Sequence, residues 1–284
     1  MLVAEGFNDM NKSDFKIQDK AILLNGKGLF SKEEVTVSIS KAKEKSGIVF
    51  VVNNGKNEAI TAKVENVTNA IRNTVLSNGK ESICLIEHFL AACSLLGVDD
   101  VEVSTNQNEL IIGDGSAVHW QDIFTKTGLC SDVKEKYDLN ETIFLKKDQK
   151  QIVAIPHNGF KASYYMDWDH PVLGKLFASW EPKDGAEGEV NKLRLLRART
   201  FATKEENDYF GVSDRLLTLD KNGFNKKLYE SLEPLYHKIL DIIGDLRLSG
   251  VNPLEINMHV IGFKSGHELN VEMARELSVS LRGT

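Results

Sequence analysis

His237, Asp241 and Asp245 stand at i, i+4 and i+8 within residues 235–250. In the same run Leu235, Ile239, Leu240, Ile242, Ile243 and Leu246 recur at helical spacing, and Gly250 supplies a stop signal. The pattern predicts a helix with an apolar body and one polar stripe. Imidazoles and carboxylates buried along such a stripe are costly unless they are paired, hydrogen-bonded or bound to a metal. A histidine and an aspartate one turn apart can ligate a single ion. Taken alone, the spacing favours a solvated helix face over a metal, and a metal site needs a third ligand from elsewhere.

The elements that must position these groups follow from the rest of the chain. With 284 residues, 42% of them hydrophobic, it can bury one large core or two modest ones. A formal charge of −6 argues against nucleic acid as a partner, while leaving room for a local basic pocket around a phosphorylated small molecule. Cys84, Cys93 and Cys130 have no paired metal-ligand spacing and read as free thiols of a reducing cytosol. Residues 1–17 lack the basic start and apolar core of a signal peptide, and the most apolar run, 83–98, is too short to span a bilayer. A soluble, cytoplasmic protein without a transmembrane segment is expected, and a monomer.

Residues 1–17 read as a polar extension. Strand patterns follow at 21–24, 35–39 and 47–52, then a helix over 82–96 closed by Gly97. Strands at 101–104 and 109–112 precede a turn at 113–116 and a short helix over 119–127. The polar stretch 131–140 marks a boundary between domains 1–131 and 132–284. Strands resume at 142–145, 151–155 and 161–167; the 235–250 helix, a strand at 255–263 and a last helix after His267 complete the chain. Strands followed by helices, twice over, predict an α+β fold of two similar units.

Ile86-Glu87-His88-Phe89-Leu90-Ala91-Ala92 supplies the missing ligand. Together with His237–Asp245 and Lys264-Ser265-Gly266-His267-Glu268-Leu269-Asn270, it closely resembles the UDP-3-O-(3-hydroxyacyl)-N-acetylglucosamine deacetylases, zinc amidases of lipid A synthesis. Arg72-Asn73-Thr74-Val75-Leu76, Asp114-Gly115-Ser116-Ala117, Asp167-Trp168-Asp169-His170-Pro171 and Ala198-Arg199-Thr200-Phe201 fall in the same order. The resemblance implies two two-layer domains forming a β-α-α-β sandwich, with the active site between them. It implies Zn2+ held by His88, His237 and Asp241, with a fourth position left open as a catalytic zinc requires. Glu87 resembles the general base, His267 the cation that stabilises the oxyanion and protonates the leaving amine, and Asp245 the group that orients His267. Thr200 resembles the hydroxyl that helps polarise the amide carbonyl. Phe201 and Trp168 sit where the family places aromatics against hexose and uracil, and Lys238 and Lys150 match lysines that face the sugar nucleotide. Read without the family, Glu87-His88 is a core pair, Thr200 a buried hydroxyl, Phe201 and Trp168 core aromatics, and Lys150 part of a solvated turn.

Two places depart from the family pattern. Gly28-Leu29-Phe30-Ser31-Lys32 has Phe30 for a histidine and Lys32 for a turn glycine. After Phe201, the charged stretch Lys204-Glu205-Glu206-Asn207-Asp208 stands where an apolar insert forms the sleeve for the hydroxyacyl chain. A sleeve for an alkyl chain needs apolar lining, so this stretch predicts that acyl length contributes little to binding. The competing expectations are the acylated UDP-sugar deacetylase, a paralogue acting on a nucleotide-activated amino sugar without a long acyl chain, and a non-catalytic sugar-nucleotide-binding protein. A zinc peptidase is disfavoured, because no His-Glu-x-x-His occurs.

Overall fold

The computed structural model describes residues 16–18, 21–52, 59–133, 135–212 and 214–281. Residues 1–15 of the expected extension lie outside them. Residues 16 and 17 are in the strand Lys16–Gln18, which pairs antiparallel with residues 21–23.

Alternating apolar residues build two mixed sheets. In the first, Ala21–Lys27 pairs with Glu34–Lys41, which pairs with Val101–Thr105; that strand runs parallel to Ile48–Val52, which pairs with Ile60–Thr61. In the second, Ile143–Lys147 pairs with Lys150–Pro156, then Ile256–Phe263, which runs parallel to Lys161–Asp167, followed by Lys175–Trp180. Strand directions and order are the same in both. Within the polar stretch read as a boundary, Tyr137–Asp138 forms a short strand beside Ile256 and Asn257.

Six helices are described: α1 Glu87–Leu96, α2 Val118–Thr127, α3 Gly185–Arg197, α4 Lys204–Phe210, α5 Glu233–Leu246 and α6 His267–Ser280. In each half one helix precedes the closing central strand and one follows it: α1 and α2 in the first, α5 and α6 in the second. Phe50 of the first sheet packs on Phe89 of α1, which packs on Trp120 and Phe124 of α2. In the second sheet, a Cβ at Gly262 would stand 3.0 Å from Ile242 of α5, so strand and helix are in close contact. The result is the expected β-α-α-β sandwich, with one continuous apolar core running through all four layers.

The middle of the sandwich is unusually tight where α1 meets α5. A Cβ on Gly244 would lie 2.0 Å from the Glu87 carbonyl oxygen. Only a glycine lets the first turn of α1 approach α5 this closely, and the active centre forms at that crossing.

The first half differs from the sequence pattern at one functional point. The helix expected over 82–96 starts at Glu87 instead. Ser82–Ile83 is a strand paired with Val75–Ser77, Cys84 is bridged to Glu109, and Leu85 takes a left-handed backbone (φ 59°) that breaks the extended run. Glu87 and His88 therefore occupy the first turn, not the helix middle. Among the described residues the 109–112 pattern yields only that bridge.

Candidate active site

The His237 and His88 Nε2 atoms approach to 3.2 Å, and each lies 3.5 Å from Asp241 Oδ1. Three donor atoms from two helices thus face one another in a triangle, all three residues being buried. Two like acceptors have no reason to converge this way unless a proton or a cation lies between them. The edges match the roughly 3.3–3.4 Å that separates ligands of a tetrahedral metal at bond lengths near 2.0–2.1 Å. The donor set therefore fits a metal. Asp241 Oδ2, the other carboxylate oxygen, accepts from Lys238 Nζ at 2.8 Å. Burial by itself would raise the Asp241 pKa, but His237, Lys238 and His267 hold it well below the usual carboxylate range. Burial pushes His237 well below its ordinary value, which keeps the ring neutral and able to ligate. Among the described residues buried His237 Nδ1 has no hydrogen-bond partner, and the ring makes an edge contact with Phe201, centroids 5.8 Å apart.

Asp245 is fully buried one turn beyond Asp241. Its Oδ2 binds His267 Nδ1 at 2.8 Å and accepts from Asn270 Nδ2 at 3.0 Å; its Oδ1 accepts from the Thr74 hydroxyl at 2.7 Å. Desolvation alone would lower the His267 pKa, but Asp245, Asp241 and Glu87 outweigh it and raise it to about 10. Glu87 is raised, chiefly by burial, against the pull of His267 and His88. A carboxylate of increased basicity and an imidazolium thus line the same cavity as the donor triangle. The Thr74 backbone N–H also donates to Glu87 Oε2 at 3.3 Å, so this one residue touches both carboxylates.

Thr200 and Phe201 are placed by the preceding residue. Arg199 makes a buried two-pronged bond to Glu233 at the start of α5 (2.7 and 3.0 Å), and Thr200 N–H donates to the Gly115 carbonyl at 2.7 Å. Phe201 meets Trp168 edge to face at 5.5 Å. A cavity of about 490 Å³ is lined by His88, His237, Asp241, Glu87, His267 and Thr200, and by Phe201, Trp168, Lys238 and Lys150. Every residue singled out from the sequence therefore reaches one cavity, except Asp245, which acts from beneath it. The Lys238 ammonium is engaged by Asp241 as well as facing the cavity.

The same cavity continues along Leu29, Leu85, Ile112, Val212 and Leu216; of residues 204–208 only Glu206 and Asn207 reach its wall, so the charged lining expected there is met in part and joined by an apolar one. Those residues form α4, opened by a Thr203/Glu206 capping box. The helix turns Lys204, Glu205 and Asp208 to solvent, Lys204 pairing with Asp208, while Phe210 packs against the apolar cluster and Val212 is buried in it. The Thr-x-x-Glu signature was present in the sequence and announces this helix. Thr74, Asn270, Gly244 and Glu109 were also missed as contributors. Glu109 is buried and accepts from the backbone N–H groups of Leu29, Phe30 and Ser31 at 2.8–3.0 Å, which fixes the loop that carries Phe30.

The model of the UDP-3-O-acyl N-acetylglycosamine deacetylase (LpxC) family matches residues 17–279. The chain belongs to this family. Proteins named UDP-3-O-acyl-N-acetylglucosamine deacetylase from Trichormus variabilis and a Nostoc species are each 30% identical to it, covering 91% of this chain and 96% of their own lengths. One from Oleidesulfovibrio alaskensis is 30% identical over 95% of this chain and 89% of its own length. The deacetylase motifs of the sequence thus extend over nearly the whole fold. Among the described residues no helix is long and apolar enough to cross a membrane.

Proposed function

We propose that this chain removes the N-acetyl group of a UDP-3-O-acyl-N-acetylglucosamine in lipid A biosynthesis, as a cytoplasmic monomer of two units, 1–131 and 132–284, using one zinc ion. The observation that carries the proposal is a single cavity that joins the His88–His237–Asp241 triangle to an apolar arm. Two imidazoles and one carboxylate favour zinc over magnesium or calcium, which prefer oxygen shells. When bound, the ion supplies Lewis acidity, polarising the amide carbonyl and making a water acidic near neutral pH.

The remaining work falls to the chain's own groups. Glu87 takes a proton from the attacking water, its basicity raised by burial. His267, kept protonated by Asp245, stabilises the charge developing on the carbonyl oxygen and gives its Nε2 proton to the departing amine. The Thr200 hydroxyl, at the cavity wall, donates to the same oxygen. Trp168 and Phe201 offer an aromatic corner for the uracil and hexose, with Lys238 and Lys150 as cations near the diphosphate. The apolar arm receives the acyl chain, at about 0.8 kcal/mol per buried methylene.

Acetate release from the acylated UDP-sugar and from its unacylated counterpart tests the proposal. The acylated compound should give the higher kcat/KM by several orders of magnitude, roughly what several buried methylenes contribute. Equal rates would remove the acyl arm from substrate recognition, and no acetate from either would refute the activity.

A further inference from the structure

The apolar arm begins beside Thr200 and can be followed outward through contacts. Gly115 (φ 94°) leaves room for Thr200 Cγ2 and Leu216 Cδ2, which lie 3.0 and 3.4 Å from where its Cβ would stand. Leu216 N–H bonds to the Val212 carbonyl one turn back, and Leu29, Val212 and Leu216 form a buried cluster against which Phe210 packs. Phe210 then meets Phe30 edge to face, ring centroids 5.7 Å apart. There the arm reaches the surface: Phe30 is 40% exposed and neighbouring Tyr209 84%.

Phe210 is gripped from the other half of the molecule. Lys32 Nζ donates to its carbonyl at the end of α4. The Arg72 guanidinium lies 5.8 Å from its ring centroid and pairs with Glu206 Oε1 at 3.4 Å. Lys32 and Arg72 both hold left-handed backbones (φ 63° and 69°), a conformation that non-glycine residues keep only where the surroundings impose it. The Phe30 loop is fixed below by Glu109, while Arg215 donates to the Gly28 carbonyl at 3.3 Å. Both segments are therefore held in place, and the two rings meet each other at the cavity wall.

We propose that Phe30 and Phe210 are specificity-determining residues: the ring pair closes the outer end of the arm and sets the longest acyl chain accepted. This rests on the deacetylase proposal above. A chain ending short of the rings is fully sheltered, whereas a longer one must displace a ring pair that these contacts hold in place.

The test is kcat/KM across a series of UDP-3-O-acyl-N-acetylglucosamines of increasing chain length, for the unaltered protein and for Phe30→Ala, Phe210→Ala and Lys32→Gly. The unaltered protein should show a limiting length beyond which kcat/KM falls by about tenfold or more, as steric discrimination in an apolar pocket allows. In each alanine variant the ratio of long-chain to short-chain kcat/KM should rise by about tenfold. Lys32→Gly relaxes the left-handed backbone while releasing Phe210, so it should keep the fold and blur the limit. The same limiting length in all four proteins, an equal loss at every length, or no limit in the unaltered protein would overturn the inference. An unaltered protein that ignores the acyl group altogether would instead overturn the acyl-arm reading on which it rests.

Discussion

The helix that precedes the closing strand carries chemistry in both halves, but in different places. α1 contributes only its first turn, Glu87 and His88, whereas α5 contributes three successive turns running to its C-terminal end, His237, Asp241 and Asp245. The second pair of equivalent helices differs more sharply. His267 opens α6 against Asp245 and is raised to about 10. His119, in the first turn of α2, is pushed by burial down to about 4 against the opposing effects of Asp114 and a backbone hydrogen bond at Ile111, and among the described residues its buried Nε2 has no partner. The same residue type at matching helix starts is a cation in one half and a neutral ring in the other. A directly bonded buried carboxylate makes the difference, not the helix start they share. Topology places candidates, and one neighbouring side chain decides what each can do.

The largest effect expected from this division is at the base. Glu87→Ala should lower kcat by about 10²–10⁴-fold, the usual worth of a positioned base, while the metal content is unchanged. Unaltered turnover would take the first half's carboxylate out of the mechanism.

Next comes the crossing that joins the halves. Gly244→Ala puts a methyl group 2.0 Å from the Glu87 carbonyl, so α1 must shift and the donor triangle must open. A displacement of this kind should lower kcat/KM by about 10²-fold and weaken metal retention. Turnover and metal content as in the unaltered protein would mean that the close approach does not position the site.

The smallest expected effects separate the two histidines. Glu87, raised by burial, and His267, raised by Asp245, should give a bell-shaped rate profile. The alkaline limb follows loss of the His267 proton, so removing the carboxylate charge in Asp245→Asn should move that limb to lower pH. His119→Leu should leave both limbs in place, since a ring that is neutral throughout has no proton to lose there. A profile that shifts with His119→Leu but not with Asp245→Asn would reverse the assignment.

How much of this was legible in the sequence depended on how many chain segments each feature needed. The α5 stripe was readable because its three groups lie on one helix, and Glu87-His88 because they are neighbours within a motif. The 3.2 Å approach of His88 to His237 joins residues 149 apart, so no local pattern contains it. Gly244 carries no local signal; its role exists only against the Glu87 carbonyl of another helix. The start of α1 was misplaced because a left-handed leucine interrupts an apolar run that otherwise reads as continuous helix. Residues 204–208 read by composition as hostile to an acyl chain, but a capped helix faces Lys204, Glu205 and Asp208 outward, leaves Glu206 and Asn207 at the cavity, and closes on an apolar residue. Glu109 carried no signal, since its partners are three backbone N–H groups some 80 residues earlier.

The central claim is that one metal is held jointly by the first turn of α1 and the middle of α5. Metal analysis of the purified protein beside His88→Ala and Asp241→Ala tests it most directly. About one zinc per chain is expected in the unaltered protein, lost from either variant because the two ligands that remain do not retain it. Full zinc occupancy in both variants would contradict the account.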